Sequence, residues 1–383
     1  MNKLGRKLGS PKIFFFTAIW LLVILVVGTI AQKFIGLYQS QNLYFSSWYI
    51  PLDRLLFFWT NDAPSIPMPM PGGRLAMAVM FINLSAKLTF GTKLELARLG
   101  TFIAHAGGLM LLIGGFITAY YSKEGSVMLY EGEQAAYFDD YHKLELALID
   151  TSPADHDAVT AFRNEYVRPG AVIEDEGFPG TIEVLSYFRN VDVYKLEGEV
   201  PADYKGMAQR FSIQGTDLNP QSERNRAGMS LRVSGLDDVE NGVYILLQHM
   251  QVPQLLSAAG RTYQLDLRNA RYPLPFGIEL LDFKKVLYPG TTKAKSYSSD
   301  VNVVSGDLKR QVSISMNEPL RNLGYTFYQA SFVEGNEGEA SVFAVVQNAG
   351  RQFPYISSLI MSFGLMLHIF LRLMKHIKKG SRV

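Results

Sequence analysis

The chain contains no cysteine. Disulfides, thiolate metal sites, iron–sulfur ligation and thiol redox chemistry by the chain itself are therefore excluded, although the compartment is left open. Tryptophan is scarce, with only Trp20, Trp48 and Trp59, so no tryptophan-rich segment exists. The formal net charge is only +2, and no basic patch is interleaved with aromatics, which leaves no argument for a nucleic-acid partner. The motifs of common soluble enzymes are missing as well: no P-loop, no GxGxxG after a strand, no HExxH and no GxSxG. No repeat of fixed period and no low-complexity tract is present.

What is there is apolar sequence, unevenly placed. The hydrophobic share is 48%, with long runs near both ends and a polar stretch from Tyr121 to Phe353. This distribution is that of a membrane protein with one large extramembrane domain. Residues 13–31 form a run long enough to span a bilayer, preceded by the basic "MNKLGRKLGSPK". Its length exceeds a signal-peptide core and favours an uncleaved anchor over a cleaved leader. Residues 43–59, aromatic with a single Asp53–Arg54 pair, suit a helix in the membrane interface. A Pro-rich loop follows. Residues 74–90 read as a weaker span interrupted by Asn83 and Lys87, with Lys87 snorkelling. Residues 99–121 and 354–371 read as the third and fourth spans. The organisation expected is an N-terminal membrane region (1–121), an extracytoplasmic domain (122–353), and a C-terminal span with a basic tail (354–383).

Charge orients the set. Lys3, Arg6, Lys7 and Lys12 precede the first span, Lys93 and Arg98 lie between the second and third, and Arg372, Lys375, Lys378, Lys379 and Arg382 follow the fourth. With four spans all three groups fall on the cytoplasmic side, as the positive-inside rule requires. Both termini are then cytoplasmic and the large domain is periplasmic or extracytoplasmic. Within that domain, short apolar-alternating runs such as "GSVMLYEGE", "LELALID", "MSLRVSG" and "ASVFAVVQ" are separated by Gly, Pro, Asn and Asp. They predict a β-rich sandwich or irregular barrel, with a short helix in "SPADHDAVTAFRNEY".

Candidate chemistry is confined to the spans. His142, His156 and His249 are widely spaced and read as surface or satisfied histidines. His105 is different: an ionisable group inside a span is costly and marks a functional hypothesis. It lies roughly 9 Å from the cytoplasmic end of its span at 1.5 Å per residue. His368 precedes Arg372 at comparable depth, and His376 reads as interfacial. Neutral imidazole is a good axial ligand for haem iron. Gly108, one turn from His105, clears space on the same face for a flat macrocycle. It also closes the row Gly100, Ala104, Gly108, which suits close helix packing. The spacing leaves both readings open.

The run "HAGGLMLLIGGFITAYYSKEGSVMLYEGE" resembles the third span and following segment of the ResB/CcsB family of System II cytochrome c biogenesis proteins. "YPLPFGIELLDFKKVLYPGTTKAKSYSSDVNVV" and "MNEPLRNLGYTFYQASF" resemble that family's signature blocks. The likeness takes in both ends of the chain and is weakest from Asp150 to Arg261. It implies a CcsB-like subunit that acts with a CcsA-type, tryptophan-rich membrane partner. Together they move haem b, held non-covalently, across the membrane and present it for attachment to CXXCH motifs of apocytochrome c. It further implies that His105 is an axial ligand to the haem iron, that Gly108 is the haem-facing gap, and that the other axial ligand belongs to the partner. His368 inherits no role from the family and stays a second, weaker candidate for the cofactor on its depth alone. Without cysteine, the chain leaves reduction of the apocytochrome thiols to a thioredoxin-like protein. With no obvious acid–base pair, it reads as a non-catalytic subunit of a haem lyase. A haem exporter subunit, or a membrane-anchored scaffold whose β domain binds a periplasmic partner, are the alternatives.

Overall fold

The computed structural model describes residues 3–60, 64–91, 95–163, 166–335 and 338–380. Lys93, Arg382 and part of the segment expected to hold a short helix (164–165) lie outside them. The chain divides into two units, Met1–Ser122 with Asn348–Val383, and Lys123–Gln347.

The first unit is helical. It contains α1 (Lys3–Leu8), α2 (Pro11–Ile35), α3 (Leu37–Ser40), α4 (Leu52–Leu56), α5 (Gly73–Ala86), α6 (Leu99–Tyr121) and α7 (Phe353–Gly380). Ser10 caps α2, its hydroxyl accepting from the Lys12 N–H, with Pro11 at the first helical position, where the missing N–H costs nothing. Among the described residues, three helices are long and apolar enough to cross a membrane: Lys3–Ile35, Leu96–Tyr121 and Phe353–Ile377.

The expected second span is not among these three. Helix α5 has 14 residues and passes directly into a π-helical turn, Lys87–Gly91; Asn83 and Lys87 interrupt the apolar run, and a polar or charged group within a span is costly. The path back along α2 is instead made in two pieces. A π-helical turn, Gln41–Phe45, extends α3, and the Ser40 hydroxyl donates to the Gly28 carbonyl at 2.5 Å. After an excursion, α5 resumes with Gly73 against the Phe45 backbone and ends with Lys87 beside Gly9. Buried Asn83 fastens this end, donating to the carbonyls of Leu8 and Ser10. The Leu8 carbonyl lies at the end of α1, where helix carbonyls lack intrahelical partners, whereas the Ser10 carbonyl also accepts from the Ile13 N–H.

The expected interfacial helix at 43–59 is also broken up. Tyr49–Pro51 (β1) pairs with Pro69–Pro71 (β2), so part of the proline-rich loop is a strand, and α4 follows directly. Pro51 and its fixed φ end the strand and start the helix.

The second unit is built from β3 (Lys123–Tyr130), β4 (Gln134–Asp150), β5 (Ala158–Arg163), β6 (Val172–Asp175), β7 (Phe178–Phe188), β8 (Val191–Lys195), β9 (Phe211–Gly215), β10 (Gly228–Ser234), β11 (Gly242–Leu247), β12 (Gln254–Ala258), β13 (Arg261–Leu287), β14 (Ala294–Ser305), β15 (Leu308–Ser315), β16 (Leu320–Asn322), β17 (Tyr325–Gly335) and β18 (Gly338–Gln347). One ten-stranded sheet runs β15-β14-β13-β4-β3-β18-β17-β16, with β12 added to β13 and β5 to β4; a four-stranded sheet runs β11-β10-β7-β6. The helix expected in "SPADHDAVTAFRNEY" is replaced by β5, whose Val159, Thr160 and Phe162 pair with Ile149, Leu148 and Leu146. β-Branched and aromatic side chains suit that pleated surface.

The β-rich expectation holds, but the large sheet is not a closed barrel. It curls until β14 meets β17 through side chains: the Tyr297 hydroxyl donates to the Ala330 carbonyl at 3.2 Å, and Ser299 bonds Gln329 and Ser341. Phe138, Phe276, Ile278, Phe327 and Phe343 fill one core, while Leu146, Leu148, Ile182, Met229, Leu231 and Leu246 fill a second. β13, 27 residues long, contributes to both. Its pairing with β4 slips between Pro273 and Ile278, where Pro273 and Pro275 lack the N–H a continuous ladder needs.

Candidate functional site

α6 and α7 pack along a row of glycines on α6. A Cβ at Gly100 would collide with the His368 backbone nitrogen, one at Gly114 with the Phe353 side chain, and one at Gly107 would come within 2.7 Å of Met361 Cγ. Gly364 on α7 answers them, abutting the Ala104 nitrogen. Small residues at this seam let the backbones approach, which drives helix association where no hydrophobic effect operates.

Gly108 is not part of that seam. A Cβ there would meet only Leu84 Cδ2 at 3.4 Å and Met361 Sδ at 4.0 Å, ordinary contact distances. It borders a cavity of ≈ 360 Å³ lined by Gly9, Pro11, Phe14, Asn83, Leu84, Lys87, Ala104, His105, Gly108 and Met361. The volume falls in the range of small-molecule sites, about 300–1,000 Å³. The two readings of the glycines thus separate: packing uses Gly100, Gly107 and Gly114, and Gly108 leaves room beside His105.

His105 is oriented from its own helix. Its Nδ1 lies 2.7 Å from the Thr101 carbonyl oxygen. A carbonyl only accepts, so Nδ1 carries the proton, and in the neutral ring Nε2 holds the free lone pair. This is the arrangement found behind metal-bound histidines, where the second nitrogen is anchored to a carbonyl or carboxylate. The imidazole, the thioether of Met361 and otherwise mostly apolar walls are compatible with an iron-centred macrocycle. Asn83 and Lys87 supply polarity at one side.

The same Thr101 connects to the other membrane histidine, since its hydroxyl lies 3.1 Å from His368 Nδ1. His368 therefore stands one residue from His105 in the hydrogen-bond chain but does not line the cavity. His376 is exposed on the last turns of α7. In the β unit His156 pairs with its neighbour Asp155 at 2.8 Å, and His249 occupies a left-handed turn position. Burial holds the His142 imidazole below the usual histidine range. Among the described residues no group of three or more His, Asp or Glu converges as a metal site.

Sequence reasoning did not find Pro11, Phe14, Thr101 or Met361 as neighbours of His105. Asn83 and Lys87 were visible only as polar interruptions of an apolar run. Met361 carries no signal of its own, since a methionine in an apolar helix is ordinary.

Comparison with known proteins adds two findings. Residues 242–363 match the ResB-like family model. These take in both signature blocks quoted above and the start of α7, and leave His105 outside. The chain is also similar to Protein NrfI of Wolinella succinogenes, 24% identical over 320 residues, covering 80% of this chain and 31% of that protein. The chain thus spans about a third of the relative's length. The resemblance read from the sequence is borne out.

Proposed function

Taking a ResB-like chain as the premise, we propose that it is a CcsB-like subunit of a System II cytochrome c synthase. The family match supports a role in cytochrome c biogenesis. The observation that carries the haem reading is His105: anchored at Nδ1 with Nε2 left free of that bond, it lines a cavity that Gly108 also borders.

In this reading haem b is the substrate and enters from the cytoplasmic side. The N-terminal end of α2, the Lys87 end of α5, the Arg98 end of α6 and the Arg372 end of α7 all gather at the cavity's end of the helical unit. That brings the basic groups to one side, as the positive-inside rule asks. The broken path of α3 and α5 then takes the place of a continuous second crossing, and the β unit lies outside. His105 holds the iron from one face and a CcsA-type partner supplies the opposite ligand. The β unit offers the surface on which apocytochrome c meets the haem. Attachment at the CXXCH thiols draws on proximity, with a separate thioredoxin-like protein keeping those thiols reduced.

The test is complementation of a strain lacking this chain. With His105→Ala, covalently attached haem on secreted c-type cytochromes should disappear while the protein itself still accumulates in the membrane. Unchanged holocytochrome levels would refute the proposal. Recovery of holocytochrome on supplying haem outside would favour the exporter instead.

A further inference from the structure

The β unit carries a cluster of cations that the haem reading does not use. Tyr272 of β13 rests on Phe138 at one end of the first core, ring centroids 5.5 Å apart. Around its ring stand Lys123 Nζ at 4.8 Å, the Arg163 guanidinium at 5.1 Å and Lys143 Nζ at 6.0 Å. Lys143 also donates to the Tyr272 hydroxyl at 3.4 Å. Cation–π pairs occur about once per 70–80 residues, so three on one ring is a convergence.

The carboxylates nearby do not match the cations in number. Buried Glu145 accepts from Arg163 at 2.7 Å and Arg268 at 3.1 Å, and Asp140 lies 3.9 Å from Lys143. Among the described residues, two carboxylates thus face four cations. Arg271 and Asp139 add one further cation and one carboxylate, Asp139 also acting on Arg268, so the excess of two positive charges stands. Glu124 alternates to the opposite strand face from Lys123 and acts on Tyr141 and His142. Arg163 and Arg268 are committed to Glu145. Among the described residues Lys123 pairs with no carboxylate, and Lys143 reaches Asp140 only at 3.9 Å, so these two lysines are the charges a ligand can engage; lysine ammonium groups are effective point charges toward phosphate.

Chain connectivity says which anion is within reach. Lys123 is the second residue after Tyr121, the last of α6, so it stays within about 7 Å of that helix end at ~3.5 Å per residue. Tyr120 and Tyr121 are both exposed there, as in the aromatic belt of a membrane-crossing helix. Lys123 is then held at headgroup depth.

We propose that Lys123 and Lys143, set around Tyr272, bind the phosphate of an anionic phospholipid. The site rests on α6 crossing the membrane and not on haem binding. A zwitterionic headgroup brings the same phosphate with a compensating ammonium, so the cluster discriminates between the two.

The test is calorimetric titration of the detergent-solubilised full chain with dihexanoyl phosphatidylglycerol, dihexanoyl phosphatidylcholine and inorganic phosphate. Phosphatidylglycerol should bind saturably and at least tenfold more tightly than phosphatidylcholine. The double variant Lys123→Gln, Lys143→Gln should weaken it by about tenfold or more with the thermal midpoint unchanged. The charge-keeping Lys123→Arg, Lys143→Arg pair should retain binding. Equal affinity for the two lipids, or undiminished binding in the glutamine pair, would overturn the proposal. Inorganic phosphate binding as tightly as phosphatidylglycerol would overturn the lipid assignment. None of these readouts involves haem, so a negative result leaves the role of His105 standing.

Discussion

His105 is oriented by a backbone atom, which makes its geometry robust to side-chain change nearby. Thr101→Val keeps the carbonyl that anchors Nδ1 and removes only the hydroxyl reaching His368. The absorption maxima of the haem-loaded protein should therefore be the same in Thr101→Val as in the native chain. A shifted Soret band would show that the hydroxyl and His368 tune the iron. In the β unit, Glu145 is fully buried between two arginines. Glu145→Gln leaves their charges without a counter-ion, and breaking a buried pair from one side costs about 3–5 kcal/mol. Chemical denaturation should show a loss of that size. His142 sets a pH dependence. Burial lowers its folded pKa, so its contribution is present above the unfolded pKa, near 6.5. As pH falls through that value the unfolded chain takes up a proton first, and stability declines until the folded pKa is passed. The thermal midpoint of the native chain should fall between about pH 7.5 and 6, and His142→Gln should flatten that slope.

At the scale of elements, the α6–α7 seam and the cavity make opposite demands on adjacent glycines. Gly107→Val overpacks the seam and should cost about 1–3 kcal/mol, read as lost membrane protein or a lowered midpoint. Gly108→Ala should be neutral, whereas Gly108→Phe should fill the cavity and lower haem retention with the fold intact. Why this distinction was not legible in the sequence is plain from the spacing. Gly100, Ala104 and Gly108 form a regular small-residue row, and only the contact with α7 shows the working row to be Gly100, Gly107 and Gly114. Helices α6 and α7 were legible because their apolar runs exceed the bilayer thickness. α5 is not confirmed as a span: its hydropathy is marginal, and its anchor, Asn83, answers carbonyls more than 70 residues away in sequence. Likewise the segment of β5 reads as a helix in the sequence because nothing local announces its pairing with β4.

For the whole molecule, the sequence announced an apolar part at both ends and a β-rich middle, and the two units follow that division. It did not announce that β13 would run through both cores of the β unit, because Pro273 and Pro275 ordinarily end a strand and here are absorbed in a bulge. The absence of cysteine makes topology directly measurable. In intact cells a cysteine at His376 should react with a membrane-impermeant maleimide only after permeabilisation, and one at exposed Val239 should react at once. Both reacting alike would contradict the proposed sidedness.

The central claim is that His105 supplies iron ligation, and it is tested most directly by purifying the protein with its membrane partner and recording oxidised and reduced absorption spectra. Native protein should show a b-type Soret and α band, and His105→Ala should lose haem or shift both bands. Spectra identical in the native protein and His105→Ala would contradict the account.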